Sequence, residues 1–258
     1  MKAQRSPSRL LLAGVGALAL FAAACSDDDK STATTPTEAA VTTTAGDTST
    51  SAATTETVPA TEPAPSFEGV LVGLFSIDPA VCTDGPVTAG SYFQMVQPGG
   101  TPESGPFIPN ADSLCTADPT FSALTPGTEG GLLAGSWQQA PNPAFDAAGN
   151  GLAAAIFAPV KFFAVDFAGA TDPNEAVPAI LATNGVLTGD LSAFTAYYGA
   201  GTFNQGAPKP DGSGQAPTGT IDAATGAYTL EWTSLIVGGS FDGFTGVWHL
   251  EGIFTPAG

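Results

Sequence analysis

The chain is poor in nearly everything that catalysis usually draws on. Its 258 residues hold one histidine, three cysteines and six basic side chains, against 24 acidic ones. With a single imidazole, any Ser-His-Asp triad or multi-histidine metal site is built on His249 or is absent. There is no GxSxG, HExxH, GxxxxGK or CxxC, and no GxGxxG after a strand, which removes the motif-borne hydrolases, metalloproteases and nucleotide-binding enzymes. Positive charge is scarcest from residue 66 onward, where Lys161 and Lys209 stand alone against 17 carboxylates, a balance of −15. Such a surface repels phosphate, so nucleic acid is excluded as a partner, and polyanionic glycans for the same reason. It attracts cations and keeps a protein soluble, and a solvated surface suited to a salty exterior is its plain meaning.

Long apolar runs are also missing, with one exception. Residues 10–25, LLLAGVGALALFAAAC, follow Lys2, Arg5 and Arg9 and carry no charge. A positive segment, a short apolar run and small residues in that order make a secretory signal peptide, too short to span a bilayer as a mature helix. The last four residues, Ala22-Ala23-Ala24-Cys25, resemble the lipobox of bacterial lipoproteins, in which the cysteine is acylated and becomes the new N-terminus; Ala22 stands where leucine is usual. The same residues satisfy the A-x-A rule for plain secretion with cleavage after Ala24. The odd cysteine count favours the lipoprotein. Lipidation uses Cys25 and leaves Cys82 and Cys115 to form a disulfide, which the oxidising exterior permits. The expected address is therefore the outer face of the cytoplasmic membrane, reached through a lipid anchor.

Residues 26–65 have no aromatic residue and hardly a branched aliphatic beyond Val41 and Val58. This Thr/Ala/Pro-rich stretch cannot bury enough apolar surface to offset its ordering entropy, and is expected to be a disordered tether. As a flexible coil it spans roughly 35 Å. The expected organisation is thus signal peptide over 1–24, lipidated cysteine and tether over 25–65, and one extracytoplasmic domain over 66–258.

From residue 66 the texture changes to short branched and aromatic runs separated by Gly, Pro, Asn and Asp, the pattern of β-strands. Strands are expected at 67–77, 91–96, 131–138, 153–157, 162–167, 180–183, 186–198, 219–222, 227–237 and 244–254. No stretch keeps a 3.6-residue period over three turns. The last two strands alternate, with Tyr228, Leu230 and Trp232, then Phe244, Trp248, Leu250 and Phe254, on inner faces, joined by the turn GGSFDG at 238–243. The fold class is all-β, a single antiparallel sandwich or barrel. The wording TGTIDAATGAYTLEWTSLIVGGSFDGFTGVWHLEGIF, preceded by LTGDLSAF and FNQG, resembles uncharacterised actinobacterial secreted and surface proteins. That resemblance is best over 186–254, implies an exported β-domain and carries no activity.

Three clusters remain as site candidates. Pairing the last hairpin about its turn, with residue numbers summing to about 480 to 482, sets Glu231 or Thr233 across from His249 and beside Glu251. This face reads either as an acid/base or cation-binding cluster or as a solvated face with one ion pair; outward polar alternation favours the second. Asp146 and Asn150 in DAAGNG carry oxygens suited to structural calcium, but the spacing is not that of an EF-hand and these residues are also ordinary turn formers. Tyr197, Tyr198, Phe203, Asn204 and Gln205 lie at a strand end and in a loop, where aromatic rings suit a neutral glycan or a surface protein. The functional expectation is a cell-surface lipoprotein whose β-domain binds or builds rather than catalyses. The rival is a glycan hydrolase working with two carboxylates, which needs no visible motif.

Overall fold

The computed structural model describes residues 66–258; the expected signal peptide, Cys25 and the tether lie outside the described residues. The described chain is all-β, with fifteen strands: β1 Gly69–Leu71, β2 Gly73–Ser76, β3 Tyr92–Thr101, β4 Gly105–Phe107, β5 Ser122–Ala123, β6 Gly131–Ala134, β7 Val160–Phe162, β8 Val165–Thr171, β9 Ala179–Thr183, β10 Val186–Asp190, β11 Phe194–Tyr198, β12 Gly201–Asn204, β13 Gln215–Ile221, β14 Ala227–Leu235 and β15 Thr245–Pro256. Every strand ladder is antiparallel, and the strands form one sheet of eleven and one of four.

The larger sheet curls into a nearly closed barrel. Its path runs β1, β9, β10, β13, β14, β15, β2, and β2 follows β1 after the single residue Val72. The kink sits at Gly73, whose φ of 149° and close approach to the Pro256 backbone leave no room for a Cβ. One segment therefore offers β1 to β9 and β2 to β15, which removes two sheet edges at once.

The long strand β15 pairs with β14 along Thr245–Ile253, every partner pair summing to 480. On its other side it pairs with β3 over Thr245–His249 and with β2 over Phe254–Pro256. Two serines fill the gap between those partners. Ser91 Oγ accepts from Glu251 N at 2.8 Å and donates to Glu251 O at 3.0 Å, and Ser76 Oγ does the same for Ile253 N and O, both at 2.9 Å. Backbone groups that a missing strand would have left open are thus satisfied by hydroxyls.

The second sheet, ordered β12-β11-β8-β7, packs on the barrel where Trp232 and Trp248 face it. Phe194 meets both indoles edge-on, at 5.2 and 4.8 Å between ring centroids, and the two indoles stack at 5.8 Å. Both tryptophans are essentially fully buried, and one apolar cluster runs through both sheets. Cys82 and Cys115 are joined in a disulfide across 33 residues of the loop-rich first half.

The strands expected at 67–77, 162–167 and 186–198 are each broken, and the breaks have local causes. Gly73 divides the first. In the second, Phe163 and Ala164 form a two-residue turn with φ of 48° and 66°, positions usually held by Asn or Gly; the Asp112 carboxylate secures it by accepting Ala164 N at 2.7 Å. In the third, Asp190 Oδ1 accepts Ser192 N and the chain turns from the barrel into the second sheet. Residues 153–157 are not a strand, although Ile156 and Phe157 are fully buried. The short strands β4, β5 and β12 are additions to the expected set.

Candidate functional site

The barrel and the second sheet meet imperfectly, and the gap is a cleft of about 430 Å³. Its walls come from four places in the chain: Phe93 and Met95 on β3, Phe162 and Phe167 on the β7–β8 hairpin, Ala196, Tyr198 to Phe203 and Gln205 on and just after the β11–β12 hairpin, and Ile236 to Phe241 after β14. Trp248 closes the floor. The fourth wall is glycine-rich for a reason: Gly238 and Gly239 have φ of 83° and 68°, and Gly239 abuts the Phe203 ring. That turn swings Phe241 over the cleft, where it meets Phe162 at 5.7 Å and Tyr198 at 5.9 Å. Asp242 Oδ1 pins the turn by accepting Gly238 N at 2.5 Å.

No Asp, Glu, Lys, Arg or His is among the described residues that line this cleft. Its polar function is concentrated in Gln205. The side chain is buried, and its Oε1 lies 3.5 Å from Trp248 Nε1 while its Nε2 donates to Asn204 O at 3.3 Å. Both contacts are long for hydrogen bonds, so the amide retains capacity toward the cleft. Its backbone is held firmly, with Gln205 O accepting Trp232 Nε1 at 2.9 Å and Gln205 N donating to Phe194 O at 2.9 Å. A Cβ at Gly246 would collide with Gln205 Oε1, so glycine is what admits the amide there.

Of the five aromatic and amide residues expected to form a binding surface, the structure brings Tyr198, Phe203 and Gln205 to the cleft. Tyr198 Oη donates to Phe162 O at 2.9 Å, and burial together with the Asp112 charge pushes its phenol up from 10.0. Tyr197 points to the opposite face, against Phe145 and the small cluster Ala153, Ala168 and Ala170. Asn204 also turns away. Its Oδ1 accepts Lys209 Nζ at 2.8 Å and its Nδ2 donates to Ser192 O; burial lowers the lysine against the pull of Asp211 and Glu175. Sequence reading missed Phe162, Phe167 and Phe241. The one local signal was a lone phenylalanine in the glycine-rich turn 238–243.

A second cluster lies on the outer barrel wall. Glu231 pairs with His249 across the ladder, His249 Nδ1 stands 2.6 Å from Glu231 Oε1, and Nε2 stands 3.0 Å from Glu251 Oε1. Burial opposes protonation of the imidazole, but the hydrogen bonds and charges of the two carboxylates outweigh it and raise its pKa above 6.5. The hydrogen bond from His249 holds Glu231 below its ordinary value. Tyr92 stacks on the imidazole, and burial with both carboxylate charges pushes its phenol up to about 12. Glu251 Oε2 also accepts Gly90 N at 2.5 Å. Thr233 is not in this cluster; it pairs with Val247, and its Oγ1 accepts Gln215 N.

The calcium candidates are occupied by their own loop. Asp146 Oδ1 accepts Ala148 N and Asn150 N, Oδ2 accepts Asn150 Nδ2, and Asn150 Oδ1 accepts Asp166 N. These donors hold Asp146 below its usual carboxylate range. No group of three or more candidate ligands for a metal ion occurs among the described residues. Comparison with family models, with curated proteins and with solved structures yields no match.

Proposed function

We propose that this chain is a lipid-anchored protein on the outer face of the cytoplasmic membrane whose barrel domain binds a small apolar molecule without transforming it. One observation carries the binding reading: a concave, ring-lined cleft of about 430 Å³ with a single buried amide in it. Ligand pockets typically measure about 300 to 1,000 Å³ and pair apolar walls with a few placed polar groups. The cleft is concave where a glycan platform is flat, which favours an apolar ligand over a neutral sugar. The hydrolase reading needs two carboxylates flanking a bond, and the cleft lining has none. Glu231 and Glu251 sit outside it, committed to His249. The anchor follows from Cys25 and the odd cysteine count.

Two experiments test this. The full chain bearing Cys25→Ser is expected to leave the membrane fraction; retention there ends the anchor. That same unlipidated chain is expected to blue-shift the uncharged dye Nile red, and two substitutions are expected to weaken it. Ala196→Phe fills the cleft, and Val237→Asp places a charge at a rim position that is 73 % exposed and outside the core. Undiminished dye binding in a folded Val237→Asp protein overturns the cleft.

A further inference from the structure

The ligand class can be narrowed, resting on the cleft-binding reading above. Volume comes first. A cavity of 150 Å³ is known to take benzene, so 430 Å³ holds a body of about two or three fused rings. Charge comes second. The described lining has no ionisable side chain other than a Tyr198 phenol that stays neutral, and the chain as a whole is strongly acidic. An anion entering would be desolvated with nothing to pair it, so carboxylic and phosphoric lipids are disfavoured.

Polarity comes third. Ser234 Oγ is fully buried and has no hydrogen-bond partner among the described residues. Ser234 shares a strand face with Trp232 and Ile236, and it pairs across the ladder with Gly246, the residue whose missing side chain admits the Gln205 amide. Ser234 lies behind the lining on β14, whereas the under-used Gln205 amide, just past the end of β12, lines the cleft itself. Buried polar groups are ordinarily satisfied, and the weakly used positions of that amide mark a place for a ligand's polar atom. The walls above it are ring faces and edges, which suit a flat ring system over a flexible chain.

The geometry points to an uncharged fused-ring molecule bearing one hydroxyl or carbonyl, seated with that oxygen at Gln205 and its rings among Phe93, Phe162, Phe241 and Trp248. The test is calorimetric titration of the full Cys25→Ser chain with four probes at neutral pH: 2-naphthol, 2-methylnaphthalene, 2-naphthoate and decan-1-ol. 2-Naphthol is expected to bind roughly tenfold tighter than each of the others. Gln205→Met, which keeps the side-chain volume, is expected to bring 2-naphthol down to the level of 2-methylnaphthalene and leave 2-methylnaphthalene unchanged. Equal affinity of decan-1-ol or 2-naphthoate with 2-naphthol overturns the assignment, as does equal affinity of 2-methylnaphthalene in the unsubstituted site. If all four probes fail while Nile red still binds, the ligand class is wrong and the cleft reading stands; if Nile red fails too, both fall.

Discussion

The Tyr92 ring lies flat on the His249 imidazole, with centroids 4.6 Å apart and planes 8° from parallel. That imidazole is also gripped at both nitrogens by Glu231 and Glu251, so its charge state is tied to the stability of the wall. Because folding raises the His249 pKa, its contribution is complete below the ordinary 6.5 and is lost as pH climbs through the raised value. Glu231 runs the other way: its contribution is complete above 4.5 and is lost as pH falls through the lowered value. Thermal stability is expected to be greatest between these limits and to decline on the alkaline side. His249→Gln should abolish the alkaline limb. A melting temperature that falls equally in that variant rules the imidazole out as the cause.

All four tyrosines have raised phenol pKa values. Burial is the leading cause for each, and Tyr228 also donates its hydroxyl to Ser76 O at 2.7 Å. Absorbance of the folded protein at the phenolate band is therefore expected to rise at higher pH than in the unfolded chain, whose phenols titrate at 10.0. A tyrosine titrating near 10 while the fold persists contradicts the packing described for it.

Reducing the Cys82–Cys115 bond is expected to destabilise the domain by about 3 to 4 kcal/mol, the chain-entropy value for a loop of 33 residues. Denaturant unfolding with and without reductant measures it. The double variant Cys82→Ser, Cys115→Ser should match the reduced protein, and a difference below about 1 kcal/mol would show that the loops hold themselves.

Ser91→Ala removes a hydroxyl that both accepts from Glu251 N and donates to Glu251 O. Glu251 O keeps its bond from Asp78 N, whereas Glu251 N is left open. The expected cost is about 1 to 3 kcal/mol. Hydrogen exchange at the Glu251 amide should accelerate in step; an unchanged rate means that water or another group replaces the serine at no cost.

What could be read in advance was whatever depended on local periodicity. The β14–β15 hairpin, the inward tryptophans and the choice of Glu231 or Thr233 as the partner of His249 follow from strict alternation about one glycine-rich turn, and the observed register selects Glu231. Segments whose neighbours come from far away could not be read that way. Residues 162–167 and 186–198 are apolar on both sides of their turns, and nothing in Phe163-Ala164 announces a reversal that a carboxylate at position 112 supports. The cleft was legible only as Tyr198, Phe203 and Gln205, because its other rings arrive from strands and turns scattered over the domain. Val186–Asp190 and Phe194–Tyr198 differ in sheet although three residues separate them.

The serine stitches along β15 also set the pace of folding. Ser76 and Ile253 are 177 residues apart in sequence, and Ser91 and Glu251 are 160 apart. Nearly the whole domain is a loop that this seam closes, and the closing entropy falls due before the paired strands return any of it. Such topology folds over milliseconds to seconds rather than microseconds. A fragment ending before Thr245 lacks the strand that β14, β3 and β2 share, which leaves β14 only β13, β3 only β4 and β5, and β2 only β6, with one edge of each exposed for as long as the seam is unmade.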